Sequence, residues 1–134
     1  MKIKRMQIDG LPFSLHDRRV VSILRDDNDI RLIMSNGLAA RDEERVEGHV
    51  LIENVDFDNC GAYILSQYGR EGVFRGYKHG LHEFIDNFKD AEFEIIDDTY
   101  GYNTTKLQGF LYSGKSCREC MLDIYHYGNM YYVI

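Results

Sequence analysis

Cys117 and Cys120 stand three apart in Ser-Gly-Lys-Ser-Cys-Arg-Glu-Cys, and His126 follows six residues after the second. Thiols and imidazole are the material of a zinc site or of a redox dithiol. A structural zinc site wants four ligands, so Cys60 would have to join Cys117, Cys120 and His126. A redox pair works at a helix N-terminus, where the dipole favours the thiolate. Met-Leu-Asp-Ile-Tyr-His-Tyr after Cys120 has a strand pattern instead. Residues three apart on a strand point to opposite faces. The sequence therefore favours Cys120 as a small buried hydrophobe and no cofactor. The set Cys60, Cys117, Cys120 and His126 remains as the alternative, a metal- or thiol-dependent domain.

Other groups offer less. Asp26-Asp27-Asn28-Asp29 lacks the spaced ligands and distal glutamate of a calcium loop and reads as a turn. His79-Gly80-Leu81-His82-Glu83 has its histidines three apart, not the four a metalloprotease helix needs. His16-Asp17 are sequence neighbours, which rarely point at one another, and no nucleophile goes with them. Asp97-Asp98 is conceivable as a carboxylate dyad, but a strand end accounts for it. No phosphate-cradling loop, nucleophile elbow or dinucleotide fingerprint is present. No catalytic residue is assigned, and an enzyme is not the favoured reading.

The elements that must position these residues are mostly strands. The length of 134 residues fits a single domain spanning 1–134, and 10 tyrosines add to strand-forming Val and Ile. Val20–Arg25 and Ile30–Ser35 flank the acidic turn, and pairing across it sets Ile23 opposite Leu32 and Val21 opposite Met34. Val46, Gly48, Val50 and Ile52 alternate with Glu47, His49 and Glu53, a half-buried strand with His49 on its wet side. Cys60–Leu65 is a shorter strand. Leu81, Phe84, Ile85 and Phe88 fall on one face of a helix over 81–89, which must rest on a sheet. Phe93 and Ile95 mark the next strand. Gly109, between Leu107 and Leu111, suggests a bulge. Gly128-Asn129 reads as a hairpin turn that sets His126 against Tyr131 and Tyr125 against Tyr132. One face of that hairpin would carry Cys120, Leu122, Ile124, His126, Tyr131 and Val133 into the core. The other would carry Tyr125, Tyr127, Met130 and Tyr132. The expected fold is α+β: mostly antiparallel β-sheet, as a curved sheet or two-sheet sandwich, with one short helix near 81–89. The layout is similar to that of small bacterial domains, with no motif specific enough to carry residues over.

Charge bounds the partners. A net charge of −6 disfavours nucleic acid and suits a basic protein. No apolar run reaches the length of a membrane span. Three cysteines and no export signal are expected of a cytoplasmic protein. Two surfaces are candidates for binding. The first is the tyrosine face of Tyr125, Tyr127 and Tyr132. The second is the basic, Gly-rich stretch 66–80 with Arg70, Arg75 and Tyr77, where a small-molecule pocket is the further alternative. The function expected is a non-catalytic protein-binding module, in its specific form an immunity-type neutralisation of a basic partner by an acidic surface.

Overall fold

A computed structural model describes residues 1–6, 11–42, 44–65 and 75–134. In chain order the strands are β1 Lys2–Lys4, β2 Phe13–Ser14, β3 Arg19–Asp26, β4 Asp29–Met34, β5 Leu38–Ala40, β6 Arg45–Val46 and β7 His49–Ile52. They continue with β8 Gly61–Leu65, β9 Gly76–Gly80, β10 Glu92–Gly101, β11 Thr104–Ser113, β12 Ser116–Tyr125 and β13 Met130–Val133. One helix, α1 Leu81–Asn87, separates β9 from β10, and a 3-10 turn, Phe57–Asn59, precedes β8. Ten strands form one sheet in the order β1-β13-β7-β4-β3-β10-β11-β12-β8-β9, and β2, β5 and β6 form a small second sheet. The fold is α+β, mostly antiparallel sheet with a single short helix among the described residues.

The large sheet bends at β3–β10, where only Val20–Phe93 and Arg19–Glu94 pair. Strands β13 and β11 are five places apart in the strand order. In a flat sheet that is roughly 24 Å. Yet Thr105 Oγ1 of β11 lies 4.0 Å from Met130 Sδ of β13, so the sheet curls until its two halves meet. Val20, Leu32, Val50 and Tyr132 from one half and Ile95, Leu107, Leu122 and Ile124 from the other share one hydrophobic cluster. Leu81 and Phe84 of α1 are buried in the same cluster, with Ile85 and Phe88 packed on it. Seven residues are too few for a free-standing helix, so this apolar face is what holds α1 in place.

The first hairpin pairs Ile23 with Leu32 as the pattern requires, but a bulge at Val21 puts Val20, not Val21, opposite Met34. The strand expected over Val46–Ile52 is cut in two. Its halves, β6 and β7, belong to different sheets. Gly48, between them, approaches the Val133 carbonyl so closely that a Cβ would lie 2.5 Å from it. Gly76 and Gly80 close the Gly-rich stretch as strand residues. They begin and end β9, which pairs with β8, and Gly76 is small enough to pass the Ile64 carbonyl.

The largest correction is at the C-terminus. The hairpin at Gly128-Asn129 does not form. β12 already pairs with β11 along its whole length and with β8 on its other edge, so no edge is left for β13. β13 crosses to the other half and pairs with β7 and β1. Gly128 serves close approach rather than a turn, because a Cβ there would lie 2.6 Å from the Glu53 carbonyl oxygen. Cys120, Leu122, Ile124 and His126 face inward as expected, but Met130 and Tyr132 are the inward residues of β13, not Tyr131 and Val133.

The expected bulge lies in β10, where Ile96 is the extra residue opposite Gly109. A side-chain carbon on Gly109 would overlap the Glu94 carbonyl, and main chain cannot step aside. Gly109→Ala is expected to lower folding stability by about 3 kcal/mol. Gly114, at φ +59 in the β11–β12 turn with open space around it, is expected to lose only about 1 kcal/mol on the same change, from backbone strain. Denaturant titration of both variants checks the contrast.

Candidate functional site

Three connections meet at one end of the molecule. They are the β3–β4 turn, the segment 53–59 after β7, and the β12–β13 crossover. Main-chain hydrogen bonds join them: Val55 N–H donates to Asn28 O at 2.7 Å, Asp56 N–H to Tyr125 O at 2.9 Å and Tyr127 N–H to Asn54 O at 2.9 Å. Asp29 Oδ1 accepts the Asn54 N–H at 2.9 Å. Asp27 and Asn54 hold the left-handed turn conformation that Asp and Asn tolerate. Residues 25–29 and 53–59 carry Asp26, Asp27, Asp29, Glu53, Asp56 and Asp58 with one cation of their own, Arg25, while Lys4 and Arg5 line a neighbouring cleft with Tyr127 and Gly128. The Arg25 guanidinium is engaged on the Phe57 ring at 3.9 Å, and its Nε donates to Asp27 O. None of the six carboxylates is within ion-pair distance of Lys or Arg among the described residues.

Tyr125 and Tyr127 edge this acidic surface, their rings 5.3 Å apart and nearly perpendicular. Tyr127 is 59% exposed, and its hydroxyl donates to Asp56 Oδ2 at 3.4 Å. Partial desolvation, then Tyr125 and Asp56, raise its pKa. The Asn59 amide donates to the same Asp56 oxygen at 2.8 Å. The arrangement offers fixed carboxylates beside large, rigid, polar-tipped rings, a surface chemistry suited to Lys and Arg side chains.

Tyr132 does not belong to this surface. It is 0% exposed, with its ring 5.2 Å from Phe13. Burial first of all pushes its pKa up to about 12. Its expected place beside Tyr125 depended on the hairpin that does not form. Arg75 and Tyr77 are exposed at and beside the edge strand β9, Tyr77 at 66%, with Tyr77 paired opposite Ile64 of β8. Arg70 lies outside the described residues, as does the rest of 66–74.

The four candidate metal ligands do not converge. Cys117 is exposed and Cys120 buried, on opposite faces of β12. Cys60 sits beside Tyr125 instead, its thiol donating to Asp56 O at 3.1 Å and accepting the Tyr125 N–H at 3.2 Å. Burial is the main reason that the Cys60 thiol is pushed up to about 11 and Cys120 to about 12, which keeps both neutral and poorly nucleophilic. Among the described residues no group of three or more His, Cys, Asp or Glu is placed to hold a metal ion.

His126 is a structural tie. Its Nδ1 is 2.9 Å from the Gly128 carbonyl and its Nε2 2.9 Å from Thr105 Oγ1. A carbonyl only accepts, so Nδ1 carries the proton and the threonine hydroxyl donates to Nε2. Its main chain bridges Val55 and donates to Asn103 O. His49, expected on the wet side, is half-buried and accepts from Arg31 at 2.6 Å.

His16 and Asp17, unlike most sequence neighbours, do point at one another. His16 Nε2 is 3.3 Å from Asp17 Oδ2, while Nδ1 donates to Ile96 O. Asp17, at φ +61, turns the chain to allow it. Asp97 and Asp98 lie close enough to add to the field on His16, while Asp98 accepts the Tyr100 hydroxyl at 2.7 Å. His16 lines an open cleft of about 620 Å³ with Arg18, Arg41 and Asp98. Ser14 lines the same cleft, but its Oγ accepts the His16 main-chain N–H at 3.2 Å. Both imidazole nitrogens are engaged elsewhere, on Ile96 O and Asp17, so no activated nucleophile is assembled among the described residues.

No protein-family model, curated protein or solved structure matches this chain.

The histidines divide by environment. The Ile96 hydrogen bond and then Asp17 raise the His16 pKa, whereas burial above all lowers His126 and His49. Proton NMR titration is expected to place His16 above 6.5 and the other two below it. His126 binds its proton less readily folded than unfolded. Its contribution to stability is therefore complete above the unfolded value and is lost as pH falls through its folded pKa. The His16 contribution has the opposite sign, present at low pH and lost as pH rises through its raised folded value. A His126 midpoint above 6.5 would contradict an imidazole that burial keeps neutral.

Proposed function

We propose that this chain is a non-catalytic recognition module whose acidic end, edged by Tyr125 and Tyr127, receives a basic surface of another protein. The observation that carries this is that two separate segments, bearing six carboxylates and one already engaged cation of their own, are joined on a hydrogen-bonded scaffold. Charge held in place before binding steers association and selects partners of opposite sign. Rigid tyrosines add contact area at little cost in conformational entropy. Both support a protein partner over a small anionic ligand, which the same field repels. Neutralisation of a basic toxin-like protein, as an immunity protein does, is the specific form of this reading. Its place of work is the cytosol, where the three cysteines of the chain persist as thiols.

The test is retention of basic proteins on immobilised chain at low salt, repeated with Asp26→Lys and Asp58→Lys combined. Both side chains are exposed, so folding is expected to survive. The wild type is expected to bind a basic partner with an affinity that falls with salt. The double variant is expected to bind it about tenfold or more weakly. Equal retention by both chains would refute the acidic end as the recognition surface.

A further inference from the structure

The short β3–β10 joint leaves a gap in the large sheet. β10 pairs with β3 only at Arg19 and Val20, so from Ser22 to Asp26 the strand has a neighbour, β4, on one side alone. Asp26 and Asp29 close a two-residue turn, which makes them the first hydrogen-bonded pair of the hairpin. The alternation of an antiparallel ladder then turns the main-chain N–H and C=O of Ile23 and Arg25 away from β4. These groups have no main-chain partner outside the hairpin among the described residues.

Beside this edge runs an apolar groove of about 210 Å³. β3 contributes Ser22, Ile23 and Leu24, and α1 with the residue after it contributes Phe84, Ile85 and Phe88. Ser22 and Leu24 point to one face of the strand and Ile23 to the other, so a groove touching all three follows the strand edge. Leu24 is 51% exposed. The volume is below the roughly 300 Å³ at which pockets for free small ligands begin. It is adequate for one large apolar side chain. An anchor residue in a small pocket beside an unpaired strand edge is the geometry of strand addition.

We propose that β3 receives an extended segment of the partner as an added strand. One large apolar side chain of that segment seats between β3 and α1, and a Lys or Arg further along meets Asp26 and Asp27. Lys89 also lines the groove, so the anchor is uncharged and the cation lies beyond it. Along a strand, Leu24 and Asp26 are about 7 Å apart, so one short segment spans both. This rests on the acidic-end reading for its charged half and on the groove and free edge for the rest.

The experiment is selection of randomly displayed peptides on the immobilised full chain, followed by affinity measurement of the best synthetic peptide. Enriched peptides are expected to share a large apolar residue followed by Lys or Arg. Ala91→Leu, which fills the groove at a half-buried position, is expected to weaken binding about tenfold. N-methylation of the peptide amide facing Ile23 is expected to do the same. Amide shifts on the wild-type chain are expected at Ser22–Asp26 and 84–91. Binding lost in Asp26→Lys/Asp58→Lys but unchanged by Ala91→Leu and by N-methylation overturns the inference and leaves the acidic-end reading standing. Binding lost with Ala91→Leu and N-methylation but unchanged in the charge-reversed chain supports the added strand and defeats the acidic-end reading. Failure to enrich any peptide, or shifts confined to residues elsewhere, overturns the inference.

Discussion

The structure depends on one saturated strand. β12 lies inside the sheet with β11 along one edge and β8 along the other. A strand has only two edges, so the chain that leaves Tyr125 must go elsewhere. It crosses the end of the fold, and β13 completes the opposite half against β7 and β1. That crossing pins the two halves together. The neutral His126 imidazole receives the Thr105 hydroxyl from β11 and donates to Gly128. The His126 main chain meets Val55 and Asn103. Three segments distant in sequence, around Val55, at 103–105 and at 126–128, are joined by one residue, in a position where burial disfavours its charged form.

The same crossing builds the candidate surface. Tyr125 and Tyr127 flank the departure from β12, and their main chains bond to Asp56 and Asn54. The Cys60 thiol fixes the other side of that contact. A cysteine that by type suggests a ligand or nucleophile is thus a prop under Asp56 and Tyr125, and its burial accounts for its raised pKa.

Local pattern made much of this legible. The apolar spacing of Leu81, Phe84, Ile85 and Phe88 specifies α1 because a helix buries one face. Ile23 opposite Leu32 follows from a two-residue turn. Gly109 marks its bulge because no other residue fits there. What could not be read was the partner of each strand. Gly128-Asn129 has good hairpin chemistry, but whether an edge of β12 was free depended on β8, more than fifty residues upstream. Tyr132 went with that error, since inward and outward alternate and a strand placed in the other half need not keep the parity of a hairpin. Asp56 and Asp58 were missed as companions of Asp26 and Asp27 because a fold-dependent contact, Val55 to Asn28, brings them together. The signal available was weak: two acidic turn-like segments on either side of a strand pair.

Gathering like charges is unfavourable for folding. At a separation of about 8 Å in water each pair costs roughly half a kcal/mol, and six carboxylates make many such pairs. The loops hold because their main-chain polar groups satisfy one another at hydrogen-bond distances of 2.7–3.3 Å, with a net gain of about 1 kcal/mol apiece. The side chains are thereby freed from a role in stability. Asp29 and Asp56 alone among the six spend a side-chain oxygen on a hydrogen bond within the fold, each as an acceptor. An unpaired field of this kind is relieved by an incoming cation. The relief grows as water is excluded around it, and the tyrosine rings exclude water without adding charge. Repulsion within the folded chain and attraction for a basic surface are thus the same electrostatic energy, retained by the scaffold until a counter-charge arrives.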